Sequence, residues 1–359
     1  MYNEYRKDHN VNRKEAAMGR FLNPGNEAFS EVIHSEIYVD KTPLLEYTNR
    51  VISTTSKFIC SSRPRRFGKS ITAEMLSAYY SKGSDSRELF ADYAIHKAES
   101  FEKHLNQYDV IHFDVQWCMM DAGNADCVVE YINNGILQEL KEKYGELIPD
   151  TVKTVYGAMS YIKAAAGNKF VVIIDEWDVL IRDEAQNHKV QEEYIDFLRG
   201  MFKGSEPSKY IALAYLTGIL PIKKLKTQSS LNKFEEFTKQ DAGRMAPYVG
   251  FTEAEVHDLC DRYGQNYEQV KSWYDGYSLE GYQVYNPKAV VSLMLNGKYK
   301  SYWSNTGSYE AIVPLINMNF DGLRAAIIEM MSGAAVDVDV TSFQNDTVSF
   351  ANRDDILTY

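Results

Sequence analysis

The chain has 359 residues, of which 45% are hydrophobic and 25% are charged, and its formal net charge is −11. This length and composition predict a globular protein with one large domain or two ordinary ones. The negative charge argues against a protein coated in nucleic-acid contacts, although it still allows a local basic groove.

The amino-terminal segment is polar and lacks the apolar core of a secretory signal peptide. No apolar run approaches the ~18 residues that would indicate a membrane span. The four cysteines are scattered, without a CxxC pair, so the sequence indicates neither a zinc site nor a disulfide framework. Together these features predict a reduced, cytoplasmic protein with no membrane partner.

The first predicted elements precede residue 52. The apolar run at 37–39 (IYV) predicts a short strand, and Asp40 or Thr42 would cap a helix that begins just after it. Two interpretations stay open for this piece. It is either an ordinary helix packed on a sheet or a segment that lies over the base of a bound nucleotide.

The segment 57–80 (KFICSSRPRRFGKSITAEMLSAYY) combines a short apolar strand, a loop that ends in Gly-Lys-Ser, and an amphipathic helix. P-loop nucleoside triphosphatases bind phosphate with this arrangement. Gly68 lets the backbone approach an anion at the positive end of the helix dipole. Lys69 supplies a charge for the β- and γ-phosphates, and the Ser70 hydroxyl supplies a magnesium ligand.

The loop departs at one position from the pattern G-x-x-x-x-G-K-[ST], because Arg63 stands where that pattern has glycine. Pro64 would stiffen the start of the loop in place of glycine's freedom. The expected cofactors are ATP and Mg²⁺. The residues predicted to bind them through this loop are Arg63, Pro64, Arg65, Arg66, Phe67, Gly68, Lys69, Ser70 and Ile71.

A second strand is predicted at 109–116 (DVIHFDVQ). Asp114 lies near its carboxyl end, where ligands bind in open α/β sheets, but an ordinary strand residue is the simpler interpretation. The helical spacing of apolar residues between Val128 and Leu140 then predicts a long core helix.

The segment 169–180 (KFVVIIDEWDVL) predicts a central parallel strand, because five consecutive apolar residues precede Asp175 and Glu176. An apolar strand that ends in Asp-Glu downstream of a P-loop is the Walker B pattern. Asp175 would hold magnesium opposite Ser70. Glu176 would act as the general base on the attacking water. Asp178 adds a third negative charge at this edge.

A helix over 190–204 and a further apolar strand, YIALAYLTGILP, complete the first half of the chain. Thr217, at the tip of that strand, is predicted to sense the γ-phosphate, although Thr-Gly is also ordinary turn chemistry. Arg199 would be an alternative phosphate contact. The alternation of strands and helices predicts an α/β domain over 1–220, with a parallel sheet covered by helices.

After Pro221 the pattern changes to a mainly helical second domain, predicted for 221–359. It begins with a basic cluster at Lys223, Lys224 and Lys226. TEAE at 252–255 predicts a capping box, and Asn286 would cap a helix with Pro287 at its first position. WYDGY at 273–277 predicts a tight aromatic turn. The last predicted helix, from Ile356, stops after about one turn, which suggests a fragment of a longer protein.

The motifs YVDKT, SSRPRRFGKS, VVIIDEWD, LTGILPI, GFTEAEV, WYDGY, VYNP and YWSNT together resemble the bacterial AAA-ATPase-like family, from about Tyr38 to Thr306. The resemblance implies an ATPase core of the additional-strand type and a helical region after it. RPRRFGK is the usual form in that family, so Arg63 departs only from the general consensus. Many members carry a nuclease-like domain of the PD-(D/E)XK type after the point where this chain stops, and none of its pattern can be placed here.

Two hypotheses about function follow. In the first, the protein is an ATP-hydrolysing switch that couples nucleotide state to an effector, with Lys69, Glu176 and Thr217 as its catalytic residues. Arg65 or Arg66 would then shield the phosphates or act on a neighbouring subunit's nucleotide in a homo-oligomer. In the alternative, the protein is a nucleotide-dependent scaffold for nucleic acid or protein with little hydrolysis, and the three lysines of the basic cluster would matter.

Overall fold

The computed structural model describes residues 18–184, 187–222, 231–239, 241–279, 281–302, 320–332, 334–339 and 352–358. The strands within these ranges are β1 (Phe58–Ser62), β2 (Asp109–Asp114), β3 (Phe170–Asp175), β4 (Ile211–Gly218), β5 (Glu235–Phe237), β6 (Phe251–Thr252), β7 (Asp275–Leu279) and β8 (Tyr282–Tyr285).

The α-helices of the described ranges are α1 (Glu27–Ile33), α2 (Pro43–Val51), α3 (Lys69–Tyr80), α4 (Phe101–His104), α5 (Val115–Asp121), α6 (Val128–Tyr144), α7 (Val155–Ala166), α8 (Val179–Arg182), α9 (His188–Phe202), α10 (Pro207–Tyr210), α11 (Glu253–Tyr263), α12 (Tyr267–Tyr274), α13 (Pro287–Asn296), α14 (Leu323–Met331) and α15 (Arg353–Thr358). Within these ranges, none of the helices combines the length and apolar character that crossing a bilayer would need.

The main sheet has five parallel strands in the order β2-β3-β4-β1-β5. Strand β4 therefore lies between the strand that precedes the Gly-Lys-Ser loop and the strand that ends in Asp175. This is the additional-strand arrangement, and it confirms the predicted fold class. Because all the strands run the same way, their carboxyl ends meet at one edge of the sheet. Asp114 is paired directly with Asp175 there.

The sheet is covered on both faces, which explains the continuous apolar runs in its central strands. Every residue of β3 and β4 is buried. On one face, Val172 and Ile174 pack in a core with α6, α7 and α9. On the other face, Val171 and Ile173 pack in a core with α2 and α3.

A second lobe, defined here as residues 251–302, contains α11, α12 and α13 with a small antiparallel sheet in the order β6-β8-β7. Its own apolar core includes Val256, Leu259, Val270 and Val290. The capping box of Thr252 and Glu255 is present, and Asn286 caps α13 with Pro287 at its first position. Both features confirm the predicted helix starts.

Three local expectations differ from the structure. Residues 37–39 form no strand, and instead Ile37 and Val39 pack against the second lobe. The predicted turn at 273–277 is the junction of α12 and β7. Strand β5 lies after residue 220, so the main sheet includes residues beyond the predicted first domain.

Candidate nucleotide-binding site

The loop between β1 and α3 has the backbone that anion binding requires. Gly68 lies at φ +85° and forms the N-cap of α3, where no side chain accepts a hydrogen bond from the helix. A Cβ added at Gly68 would meet no atom within 4 Å, so the space beside it is open. The first N–H groups of this twelve-residue helix are therefore available for an anion, and the helix dipole favours one there.

Lys69 is buried at the start of α3, with only 5% of its side chain exposed. Its Nζ donates a hydrogen bond to the Pro64 carbonyl at 3.2 Å and lies 3.9 Å from Glu176 Oε1. Burial lowers the pKa of Lys69, whereas the negative charge of Glu176 raises it. The ammonium thus lies inside the loop with few partners for its three donors.

Asp175 and Ser70 meet across the gap between β3 and α3. The Ser70 side chain lies close enough to the Asp175 carboxylate to lower its pKa, and Asp175 is 3% exposed. Burial raises the pKa of Asp175 to about 6, with additional contributions from Asp114 and Glu176. A divalent cation would offset this excess of negative charge, and hydroxyl and carboxylate oxygens are the ligands that Mg²⁺ prefers.

Glu74 joins this group, and the sequence reasoning did not identify it. It lies one turn after Ser70 on α3, and burial raises its pKa to about 7, helped by Asp175 and Asp114. The i, i+4 spacing from Ser70 was the available signal. Within the described ranges, no three His, Cys, Asp or Glu side chains are arranged as a complete metal site. A magnesium ion held by Ser70 and Asp175 would therefore need phosphate oxygens or water as its other ligands.

Glu176 follows β3 in a constrained backbone conformation. Its φ of +48° lies in the left-handed region, which residues other than glycine rarely adopt. Its N–H donates to Asp175 Oδ1 at 2.9 Å, and the next N–H, of Trp177, donates to the Thr217 carbonyl at 3.0 Å. These bonds hold Glu176 at the edge of the sheet, beside the tips of β3 and β4.

Asp178 has a structural task here, unlike the acids before it. Its Oδ2 accepts hydrogen bonds from the N–H groups of Ile219 at 3.2 Å and Leu220 at 2.8 Å. The same oxygen lies 3.3 Å from Arg182 Nη1. Asp178 therefore anchors the turn after β4. Arg182 is a second residue that the sequence reasoning did not identify, although its i, i+4 spacing from Asp178 was an available signal.

Thr217 is fully buried near the tip of β4, where it is paired with Ser61 of β1. Its Oγ1 has no hydrogen-bond partner among the described residues. A buried hydroxyl without a partner is uncommon, and it is explained if a ligand or a water completes the site. Arg199, the alternative phosphate contact, forms a surface ion pair with Asp196.

Of the other loop residues, some are buried and support the fold, and the others are exposed. Arg63 is 1% exposed, and its Nη1 donates to the carbonyls of Phe237 at 3.1 Å and Thr238 at 2.8 Å, so it fastens β5 to the loop. Phe67 is buried as well. Arg65, Arg66 and Ile71 are exposed, whereas the basic cluster at Lys223, Lys224 and Lys226 lies outside the described residues.

Two comparisons with known proteins bear on the family of this chain. An uncharacterised protein in the vnfD 5′ region of Azotobacter chroococcum mcd 1 is 25% identical over 307 residues, which cover 81% of this chain and 55% of that protein. The chain thus spans about half the length of this relative. The model of the predicted AAA-ATPase family matches residues 24–227, more than half of the chain. The chain therefore belongs to the predicted AAA-ATPase family.

Proposed function

We propose that the protein binds ATP with Mg²⁺ at the carboxyl edge of its main sheet and hydrolyses it. The observation that carries the proposal is the meeting of two distant segments, because Lys69 Nζ lies 3.9 Å from Glu176 Oε1 and the Ser70 side chain lies beside the Asp175 carboxylate. A phosphate chain placed over the loop would have a cation, free helix N–H groups and a general base within one site.

Each residue has a definite role in this mechanism. Lys69 and the N–H groups of the loop bind the phosphates, and Ser70 and Asp175 hold magnesium, which when bound neutralises phosphate charge. Glu176 takes the proton of the attacking water. Thr217 donates its hydroxyl to the γ-phosphate or to that water, which gives its Oγ1 the partner that the described residues do not provide.

The decisive experiment measures phosphate release and nucleotide affinity for Glu176→Gln. We expect release to fall about 100-fold or more, since general-base catalysis contributes about 10² to 10⁴ in rate. ATP affinity should stay within about twofold, because Lys69 and the loop remain. Glu192→Gln, an exposed change on α9, is the matched control and should change neither quantity.

Unchanged release in Glu176→Gln would remove Glu176 from the role of base. Tight nucleotide binding by the wild type without any release would instead favour the alternative, a nucleotide-dependent scaffold for nucleic acid or protein. Salt-sensitive binding of DNA or RNA that is lost on neutralising Lys223, Lys224 and Lys226 would further support that alternative.

The proposal includes a switch, because the phosphate-binding loop contacts the second lobe directly. Gly250 lies at φ +101°, and a Cβ there would approach Phe67 to 3.0 Å and Val284 to 2.5 Å. Phe67 of the loop therefore lies against the entry to the second lobe. A change in the loop on nucleotide binding would move this contact, and the second lobe would respond.

A second contact joins the lobe, through Lys41, to the segment just before α2. Its Nζ donates to the Pro247 carbonyl at 2.8 Å and forms an ion pair with Glu255 at 2.6 Å. Glu255 also closes the capping box of α11. This contact would stay in place and serve as the hinge about which the second lobe moves. The same proposal includes an effector, which would be a protein or a nucleic acid. It also includes that the protein itself is cytoplasmic and forms homo-oligomers.

A further inference from the structure

Glu176 is held between two cations, and only one of them belongs to the phosphate-binding loop. Its Oε1 lies 3.9 Å from Lys69 Nζ, and its Oε2 lies 3.4 Å from Arg182 Nη1. The side chain of Glu176 is 17% exposed, so both contacts are shielded from bulk water. Electrostatic contacts at such a position are stronger than at the open surface.

Arg182 is itself immobilised. Its side chain is only 6% exposed. Its Nε donates to Asp183 Oδ1 at 2.7 Å and its Nη2 to Asp183 Oδ2 at 3.3 Å, which is a forked carboxylate contact. Nη1 then lies between Glu176 and Asp178. The guanidinium therefore presents one fixed N–H group to the proposed base.

The contact of Arg182 also connects Glu176 to the end of β4. Asp178 accepts the backbone N–H groups of Ile219 and Leu220, directly after the strand that carries Thr217. A chain of contacts thus runs from the turn after β4 through Asp178 and Arg182 to Glu176. Any shift of this turn would be transmitted to the orientation of the base.

The two cations differ in what a nucleotide would do to them. Bound phosphates would compete for Lys69, and Glu176 would then lose one of its two contacts. Arg182 does not lie on the loop, and its contacts with Asp178 and Asp183 would persist. The left-handed backbone of Glu176 persists only where the surroundings hold it, and Arg182 is one of the contacts that do so.

From these contacts we infer that Arg182 is a positioning residue that holds the Glu176 carboxylate in its working direction. The inference rests on the proposed function, because it assigns Glu176 the role of general base. Arg182 touches neither nucleotide nor water in this account and acts only through Glu176.

A double-mutant cycle on ATP hydrolysis tests the inference, with Arg182→Gln, Glu176→Gln and the double variant in the full chain. We expect Arg182→Gln to lower kcat about 10-fold to 100-fold, as misplacement of a catalytic group does. KM and ATP affinity should stay within about twofold. The double variant should be no slower than Glu176→Gln alone, because a residue that acts only through Glu176 has nothing left to position.

Arg182→Lys distinguishes positioning from folding. A lysine keeps the positive charge but contacts fewer of the three carboxylates, so its kcat should lie between that of the wild type and that of Arg182→Gln. If Arg182→Gln does not fold, Arg182→Lys takes its place in the cycle. A purely structural role would instead lower melting temperature and ATP affinity together, and that result would overturn the inference.

The cycle separates this inference from the proposed function. A wild-type protein that neither binds nor hydrolyses ATP overturns the proposed function and the inference together. A wild-type rate in Glu176→Gln removes Glu176 from the role of base and overturns the inference, while hydrolysis itself stands. A slow Glu176→Gln beside a wild-type rate in Arg182→Gln overturns the inference alone. Losses that multiply in the double variant also overturn it, because Arg182 would then act independently of Glu176.

Discussion

The two ends of the main sheet can be compared through one buried lysine and one buried aspartate at each end. At the amino ends of the strands, Lys57 donates to the carbonyls of Ser208 and Ile211, both at 2.8 Å. The Asp109 carboxylate accepts hydrogen bonds from Lys143 Nζ and from the Tyr144 hydroxyl, both at 2.6 Å. Burial opposes its ionisation, but Lys143 and the hydrogen bonds lower the pKa of Asp109 to about 2.

At the carboxyl ends, the same residue types are left incomplete. Lys69 donates to one carbonyl, that of Pro64. Burial raises the pKa of Asp175 to about 6. At Asp109, by contrast, Lys143 and the hydrogen bonds outweigh the effect of burial on the pKa. Glu176 adds a strained backbone at this end. The comparison shows that Asp109 has a cation and hydrogen bonds that outweigh its burial, whereas Asp175 lies among further carboxylates that add to the effect of its burial.

The largest expected effect separates the two lysines. Lys69→Met should weaken ATP binding about 100-fold, since a charge-assisted hydrogen bond contributes about 1.5–3 kcal/mol and the phosphates would lose this charge. Lys57→Met should leave affinity within about twofold and lower the melting temperature, because two buried carbonyls lose their donor. Calorimetric titration with Mg–ATP and thermal melts measure both. Equal losses of affinity would contradict the division between the two ends.

The next effect is on stability, and it has opposite signs at the two aspartates. Asp175→Asn should raise the free energy of unfolding of the nucleotide-free protein by about 1–3 kcal/mol, because it removes a buried charge whose pKa is raised. Asp109→Asn should lower it by about 2 kcal/mol, since a stabilised carboxylate is lost. Urea unfolding measures both. Asp175→Asn should also lose the added stability that Mg–ATP gives the wild type.

The pH dependence of Asp109 checks the same difference. Its pKa in the folded protein is about 2, below the value of 3.8 expected for the unfolded chain. The carboxylate therefore contributes stability that is fully present above about pH 5 and is lost as the pH falls towards 2. The difference in unfolding free energy between wild type and Asp109→Asn should shrink over this range. A constant difference would show that packing, and not charge, stabilises the amino end.

The smallest stability effect is expected at Thr217. Thr217→Val should change the free energy of unfolding by less than about 0.5 kcal/mol, because its Oγ1 has no hydrogen-bond partner among the described residues. ATP hydrolysis should fall about 10-fold if the hydroxyl serves the γ-phosphate.

Thr48→Val is the matched control, since Thr48 Oγ1 is hydrogen-bonded to the Tyr80 hydroxyl at 2.7 Å. This variant should lose about 1 kcal/mol of stability and keep its rate. A Thr217→Val protein that is as unstable as Thr48→Val and hydrolyses ATP normally would assign Thr217 to the core.

The sequence by itself determined the features that depend on local chemistry. An apolar run followed by Gly-Lys-Ser marked β1 and α3, and five apolar residues before Asp175 marked β3. Thr252 and Asn286 marked helix starts because capping uses side chains within three residues of each other. The end of β4 at Gly218 was also predicted. The roles of the predicted site residues, Lys69, Glu176 and Thr217 among them, remain predictions.

Only the tertiary structure decided which distant groups meet. Glu74 lies one turn after Ser70 on α3, but its proximity to Asp175 and Asp114 appears only once β2 and β3 pack beside that helix. The spacing of Arg182 from Asp178 is visible in the sequence, but the burial of Arg182 and its contact with Glu176 appear only in the fold. Residues 37–39 resemble a strand in sequence because they are apolar, but Ile37 and Val39 pack on the second lobe and not in a sheet. Burial and long-range pairing depend on the whole fold, and no local pattern records them.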